Sequence, residues 1–495
     1  MHMSDCLGGW DFYDELHKKE LETPRFVDKQ AVTQQTFFNP QTQILEINSK
    51  TGLYPLYVAY STYMAKCEKI KEHDLTLEKQ REIWFDTVSE NIFVVCKTPM
   101  AKAITKRTLV GYSNKKINAH YFDDLNSTMA NKPKLFIDKV LKPSYWKKGS
   151  GDKMHFNAIV GNPPYQENIS DNDSNSSLSK QLFPIFVETA VKLDAQYVSL
   201  ITPSRWFAGD AQDKSFVKMR EFIRENNHIS YLCNYKDEKD LFSNVEIKGG
   251  VSYFLYDKNY DGQVMFVNRH NDTEVAEYRE LFEDGLDIII SDSESYPILK
   301  KVRHEDTFVS FVTITTGRNA FGIIGKQSVV DDISTTDKFK GAAELRCKGN
   351  EIRWMKPSAV TKSLDIFNKY KVYISKSAGN PNSDTKVIGI PYVGEPQSAC
   401  TDSLFPIGCF DTLTEAQNLK KYMQTKFLRF LVQTLKVSQN VTQIVYKFVP
   451  MQDFTSKSDI DWSQSTKKVD EQLYKKYRLS ESEIAYIENS VDRID

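Results

Sequence analysis

The sequence predicts an α/β protein, a parallel sheet with crossover helices, followed by a mixed α+β region. Three observations carry this. Through its first half, short apolar runs alternate with longer stretches of helical period. The gaps between them hold Asn, Gly and Pro, the residues of turns. Beyond Asp257 the rhythm shifts to short strands and turns, and from Thr414 it is helical again.

Taken in order, residues 1–40 are polar and turn-rich, with Gly8-Gly9 and Asn39-Pro40. Ile44 and Leu45 form a short buried strand, 49–52 a turn, and 53–70 an apolar-periodic helix. Ile92–Cys96 is a second strand, followed by a helix over 99–109. A third strand runs over 156–160. Residues 181–194 are an amphipathic helix and 195–207 a buried strand with its loop. Strands that alternate with helices in this way pair in parallel through crossovers. Residues 166–180, rich in Ser, Asn and Asp with no hydrophobic period, are expected to be a mobile loop. Residues 257–275 read as a hairpin, 300–400 as short strands and turns, and 415–435 and 469–491 as helices. The domain boundary is expected near residue 300, giving units 1–300 and 301–495.

Hydrophobic residues at 40% and charged residues at 26% suit a soluble globular protein. With a net charge of -1 the molecule is no polycation, so any nucleic-acid contact needs a local positive field. The seven cysteines form no CxxC pair, which argues against a zinc site or a disulfide framework. No metal is expected. No apolar run approaches the roughly 20 residues of a membrane span, and the N-terminus lacks the regions of a signal peptide. A cytoplasmic protein is expected, with no membrane partner.

The segment "FNAIVGNPPYQ" carries the chemistry. A strand runs into Asn162-Pro163-Pro164-Tyr165, where each proline removes an N–H and fixes φ. The segment is therefore stiff, with carbonyls that lack ladder partners. The Asn162 side-chain carbonyl and the Pro163 main-chain carbonyl can converge on one exocyclic amino group. They would hold its hydrogens and aim its lone pair at an electrophile. Tyr165 offers a face on which a base can stack, for about 1–3 kcal/mol. A base within a duplex must be flipped out to reach such a pocket. Otherwise Pro-Pro simply ends a strand.

With these residues the chain resembles the N6-adenine DNA methyltransferases of bacterial restriction–modification systems, in particular the large enzymes with a C-terminal target-recognition domain. The resemblance rests on NPPY and on "ILEINSKTGLYPLY", "YVSLITPSRWF", "EIKGGVSYFL" and "YKFVPMQDF", in that family's order. It implies a Rossmann-like, S-adenosylmethionine-dependent methyltransferase sheet in residues 1–300 and a mixed α+β target-recognition domain in 301–495, with a helical tail. It implies methyl transfer from S-adenosylmethionine to the N6 amino group of a flipped adenine, with Asn162, Pro163, Pro164 and Tyr165 as catalytic residues. For the donor it implies Glu46 on the ammonium group, Gly52 as the last turn glycine, and Asn162. Lys50 replaces a usual glycine, and Asn48 and Thr51 are expected to supply the missing hydrogen bonds. Asp123 matches the aspartate that holds the donor's adenine, with Phe122 packing on that ring. At the ribose position stand Cys96 and Lys97 in place of a carboxylate.

For double-stranded DNA the candidates are Tyr165 and Phe207 at the base, Lys426 and Arg429 on the backbone, and Arg318 where the recognition region begins. Two acid-free basic stretches support this: Lys97, Lys102, Lys106, Arg107, Lys115 and Lys116, then Lys420, Lys421, Lys426, Arg429, Lys436 and Lys447, interleaved with Tyr422, Phe427, Phe430 and Tyr446. Trp206 is expected in the core. The resemblance also implies a Thr-Pro-containing segment ahead of "ILEINSKTG" that closes over the donor's methionine end, and no such segment is recognised there. The first residues look like sequence that would follow such a segment, so a shortened form or the C-terminal part of a larger polypeptide is expected. Its partners would be a restriction endonuclease, a helicase subunit or the missing N-terminal segment. Two alternatives stand beside this. One is a non-catalytic DNA-binding or specificity fragment, the other the methyltransferase part of a combined endonuclease–methyltransferase, for which Glu246-Ile247-Lys248 offers only a short Glu-x-Lys pattern.

Overall fold

The apolar runs are buried along their whole length because helices cover both faces of the sheet they build. The computed structural model describes all residues except 16, 150, 169–178, 210, 212, 243–246, 248, 271–272, 283–285, 304–307, 378–386, 437–440 and 494–495. Two compact units divide the chain, Met1–Ser291 and Asp292–Asp495.

The first unit holds a nine-stranded sheet of β1 (Ile44–Ser49), β2 (Ile92–Cys96), β3 (Asn118–Tyr121), β4 (Ala158–Gly161), β5 (Tyr197–Pro203), β6 (Ile229–Tyr235), β7 (Val251–Asp257), β8 (Val264–His270) and β9 (Thr273–Arg279). Across the sheet the strand order is 9-8-6-7-5-4-1-2-3. Strands β1 to β5 pair in parallel. Strand β7 runs antiparallel between β5 and β6, and β9 antiparallel to β8. The order reverses between β1 and β4. Connections leave those two strands in opposite directions, which opens a crevice beyond their carboxyl ends.

The period of two along each strand divides the core. Leu45, Ile47, Phe93, Val95, Ile159, Val198 and Leu200 face one layer. Ile44, Ile92, Val94, Ala158, Val160, Tyr197 and Ile201 face the other. Helices α1 (His2–Leu7), α2 (Leu53–Cys67), α3 (Leu77–Glu90) and α4 (Pro99–Val110) cover the second face. Helices α5 (Leu125–Asn131), α6 (Pro133–Val140), α7 (Phe183–Lys192) and α8 (Ser215–Glu225) cover the first. Thr98 caps α4 by accepting from the Ala101 N–H, with Pro99 in the first turn, a cap that stabilises by about 1 kcal/mol.

The N-terminal 40 residues are more ordered than a turn-rich reading allows. Met3, Cys6 and Leu7, at helical spacing, bury one side of α1, and Trp10 follows in a hairpin of Gly9–Tyr13 with Glu20–Val27. Strand β1 is also longer than expected, because its polar residues Glu46, Asn48 and Ser49 lie inside the sheet. All seven cysteines are free thiols. No described helix is long and apolar enough to cross a membrane.

The second unit contains a four-stranded and a three-stranded sheet. Its C-terminal helices are Leu413–Gln424, Lys426–Leu435, Thr466–Lys476 and Glu481–Ser490, and capping boxes start the first and last of them. Here the second basic stretch departs from its expected role. Tyr422, Phe427, Phe430 and Tyr446 are core residues, with Tyr477 stacked 5.0 Å from Phe427. Lys426 is buried and pairs with Glu488 at 3.1 Å, and Arg429 is buried and donates to the Asp492 carbonyl. Helix Lys426–Leu435 is covered almost all round, so its two cations turn inward and offer no phosphate contact.

Candidate active site

The carboxyl ends of β1 and β4 meet at the reversal of strand order. Glu46 is buried, and its Oε2 has no partner. Burial pushes its carboxyl up to about 8, while the Ser49 hydroxyl and the Lys50 charge pull the other way. Asn48 takes φ +72°, the left-handed region that asparagine tolerates better than most residues. From there its Nδ2 donates to the Asn162 main-chain carbonyl at 2.8 Å, while its Oδ1 is buried without a partner. Gly52, at φ +79°, starts α2, and a Cβ there would lie 3.0 Å from the Thr105 Cα. The close approach this glycine permits is therefore to α4, where Thr108 Oγ1 also donates to the Thr51 carbonyl at 2.6 Å.

Strand β4 ends at Gly161, where a Cβ would sit 2.6 Å from the Ile47 carbonyl oxygen. That narrow approach brings Asn162 onto Asn48. The Asn162–Tyr165 segment then leaves the sheet and borders a cleft of 640 Å³, completed by Lys50, Gln166, Gln181, Pro203, Arg205, Phe242 and Ile247. The Tyr165 hydroxyl is buried without a partner, and desolvation pushes the phenol well above its ordinary range. Gln166–Asn168 pairs with Ser179–Gln181 beside it. Most of the loop expected over 166–180 lies outside the described residues, as do Glu246 and Lys248.

Behind the cleft, His2 joins three elements. Its ring nitrogens lie 2.9 Å from the Tyr54 hydroxyl and 2.8 Å from Ser199 Oγ. Ser199 spends its own proton on the Phe254 carbonyl at 2.8 Å, so it must accept from His2 Nε2–H. Nδ1 is then the acceptor, and Tyr54 donates to it. Burial pushes the imidazole down to about 3, which keeps it neutral. The electrostatic neighbours of the Tyr54 phenol include Tyr165 and Glu46.

The cleft brings together Asn162, Pro163, Pro164 and Tyr165; Asn48 is tied to them through its bond to Asn162 and Glu46 sits beside Val160, though neither borders the cleft itself. Other expected residues lie elsewhere. Asp123 is in an exposed turn after β3 and does not line the cleft. Phe122 is buried against Phe136 and Tyr145 with the Lys139 ammonium 4.8 Å from its ring centroid, so its faces are taken. At the end of β2 Cys96 is buried, its Sγ bonded to Thr105 Oγ1, and Lys97 is exposed. Phe207 does not line the pocket: the short turn Ser204–Phe207 folds its ring with Trp206 into the core, edge to face at 5.0 Å. The same turn leaves Arg205 at the cleft, a residue sequence reasoning passed over although it stands in the quoted "TPSRW". Arg318 is exposed in a turn of the second unit. A Thr-Pro pair does precede β1, at Thr23-Pro24 in the hairpin strand Glu20–Val27. His2 and Tyr54 carried no motif signal. Among the first basic stretch, Lys97, Arg107, Lys115 and Lys116 remain exposed.

Residues 90–242, which include the Asn162–Tyr165 segment, match the model of the Eco57I restriction-modification methylase family. A protein described as an uncharacterized adenine-specific methylase of Mycoplasma pneumoniae (strain ATCC 29342 / M129 / Subtype 1) is 34% identical over 145 residues, covering 28% of this chain and 33% of that protein. The match thus spans about a third of the length of this curated relative. Among solved structures, the Type IIL restriction-modification enzyme MmeI, in complex with DNA, superposes with a TM-score of 0.51 at 8% identity, over 92% of this chain and 74% of that one. A nuclease-deletion mutant of the Type ISP restriction-modification enzyme LlaGI gives 0.46 at 10% identity, over 82% and 43%. The likeness to MmeI shows a shared fold.

Proposed function

We propose that this chain is a cytoplasmic, adenine-specific DNA methyltransferase of a bacterial restriction–modification system, moving a methyl group from S-adenosylmethionine to the N6 amino group of a flipped-out adenine. One observation carries the reading. Three buried polar atoms without partners lie on or beside the NPPY segment: the Tyr165 hydroxyl within it, Asn48 Oδ1 on the side chain that bonds the Asn162 carbonyl, and Glu46 Oε2 on the strand residue paired with Val160, two positions before Asn162. Buried polar atoms are paired in nearly all proteins, so such a group points to a polar ligand. The match of residues 90–242 to a methylase family supports the same reading.

The donor set fits S-adenosylmethionine. Glu46 would take its ammonium group, with Asn48 beside it. When bound, S-adenosylmethionine supplies a methyl group on a positively charged sulfur. The chain's own part is placement. Asn48 pins the Asn162 main chain and leaves the Asn162 side-chain carbonyl and the Pro163 carbonyl to hold the two hydrogens of the adenine amine. Tyr165 stacks on the extruded ring. The amine nitrogen forms its bond to the methyl carbon as the carbon–sulfur bond breaks, and the surplus proton leaves to solvent. The second unit would recognise the target, through Arg318 among others. A nuclease or helicase partner fits the same reading.

The test is transfer of labelled methyl to DNA by the purified chain, followed by digestion to nucleosides. Label in N6-methyladenine, lost in Tyr165→Ala, is the expected result. A non-catalytic specificity protein is the second reading, favoured by Cys96 and Lys97 at the end of β2, where no carboxylate stands. DNA binding without transfer would select it.

A further inference from the structure

Arg205 differs from the other half-buried or buried arginines of the first unit. Arg220 donates to the carbonyls of Trp206, Gly209 and Asp287, and Arg269 pairs with Asp5 and Glu274. Arg205 engages no carboxylate and no carbonyl among the described residues; its guanidinium only faces the Phe216 ring, 5.8 Å from the centroid. Burial, with no acid among the described residues to offset it, pushes its pKa down. Holding a partly desolvated cation without a counter-charge is unfavourable unless an anion arrives.

Its position says which anion. Trp206 and Phe207 turn into the core, so the Ser204–Phe207 turn presents Arg205 alone to the cleft that Pro163, Pro164 and Tyr165 border. It follows β5, which lies beyond β4 as seen from β1. Arg205 thus flanks the diproline segment on the side away from Glu46 and Asn48, where an extruded nucleotide would enter. A planar guanidinium with paired donors suits a phosphate. We propose that Arg205 seats a backbone phosphate of the extruded nucleotide, fixing its sugar–phosphate while Asn162 and Tyr165 hold its base. This rests on the reading of the cleft as a methyltransferase site.

The probe is a duplex with one adenine opposite an abasic site, where extrusion costs least. Binding to the full chain is measured between about 50 and 200 mM salt. Arg205→Gln should make the slope of log affinity against log salt shallower by about 0.9, the share of one phosphate. Arg205→Lys should restore it, and affinity for S-adenosylmethionine should stay unchanged. A second arm neutralises the phosphates flanking that adenine as methylphosphonates. Wild-type protein should then behave as the Gln variant does on ordinary DNA, and this arm decides even if Arg205→Gln fails to fold. An unchanged slope in both arms overturns the proposal, as does loss of donor affinity with DNA affinity intact, which would assign the anion to the donor's carboxylate. Slope changes without methyl transfer to any DNA would remove the enzymatic reading and leave the phosphate seat standing. Transfer with unchanged slopes would do the reverse.

Discussion

Gly161→Ala tests whether the meeting of β1 and β4 sets the position of the reacting groups. Gly161 has no positive φ, so alanine brings no backbone strain, only a methyl group. That carbon would lie 2.6 Å from the Ile47 carbonyl oxygen, whereas ordinary contact begins at 3.4 Å. The obstacle is main chain and cannot swing aside, so one strand tip must yield by about 0.8 Å, a small overpacking that typically costs about 1–3 kcal/mol. If the shift falls along the Asn48–Asn162 bond, 2.8 Å becomes about 3.6 Å and the bond is lost. A displacement near 1 Å at an aligned centre reduces rate by about 10²-fold. Single-turnover transfer at saturating donor should therefore fall by about that factor, while donor affinity changes little and thermal unfolding reports the stability loss. Gly151→Ala, with nothing within 4 Å, is the matched control and should be neutral. A folded Gly161→Ala protein with wild-type single-turnover rate would refute the reasoning.

Glu46→Gln gives a pH signature. The folded carboxyl keeps its proton up to about pH 8, against an ordinary value of 4.5, so between these the folded state binds more protons than the unfolded one. Stability should fall as pH rises through that window, and the Gln variant should lose the fall in denaturant titrations. Donor affinity, which needs the ionised form, should rise with pH toward 8 in the wild type and be weak and flat in the variant, as equilibrium dialysis would show. Asn48→Ala should lose both the tie to Asn162 and an easy left-handed backbone, destabilising by about 1–3 kcal/mol, whereas Asn48→Gly keeps the backbone and should lose mainly transfer rate. Lys426→Ala should destabilise by about 1–3 kcal/mol and leave the salt dependence of DNA binding unchanged, since its ammonium is already paired internally. Lys116→Gln, exposed in the first basic stretch, should make that dependence shallower if this face meets phosphates.

What the sequence made legible follows from what each signal measures. Ile92–Cys96 was readable end to end because polar residues flank an unbroken apolar run. β1 was readable only as Ile44-Leu45, since Glu46, Asn48 and Ser49 look like a turn until the sheet encloses them. Two of them are spent on neighbouring elements, Asn48 on the Asn162 carbonyl and Ser49 on Thr105. NPPY announced itself by stiffness and by its place after a strand. Arg205 did not, because its distinction is the absence of a partner, which only three dimensions reveal. Counting charge along 418–452 likewise could not show that Lys426 and Arg429 sit on a helix enclosed on nearly every side. Phe207 was expected at the base, but the tight Ser204–Phe207 turn carries its ring into the core.

The imidazole of His2 lets a residue 52 positions upstream decide which end of its hydroxyl Tyr54, at the start of α2, has to spare. With Ser199 accepting from Nε2–H and Nδ1 left as the acceptor, the Tyr54 O–H is committed to His2, and only its lone pairs remain for other neighbours. Removing the opening six-residue helix would take that acceptor away and leave the phenol free to turn its hydrogen elsewhere.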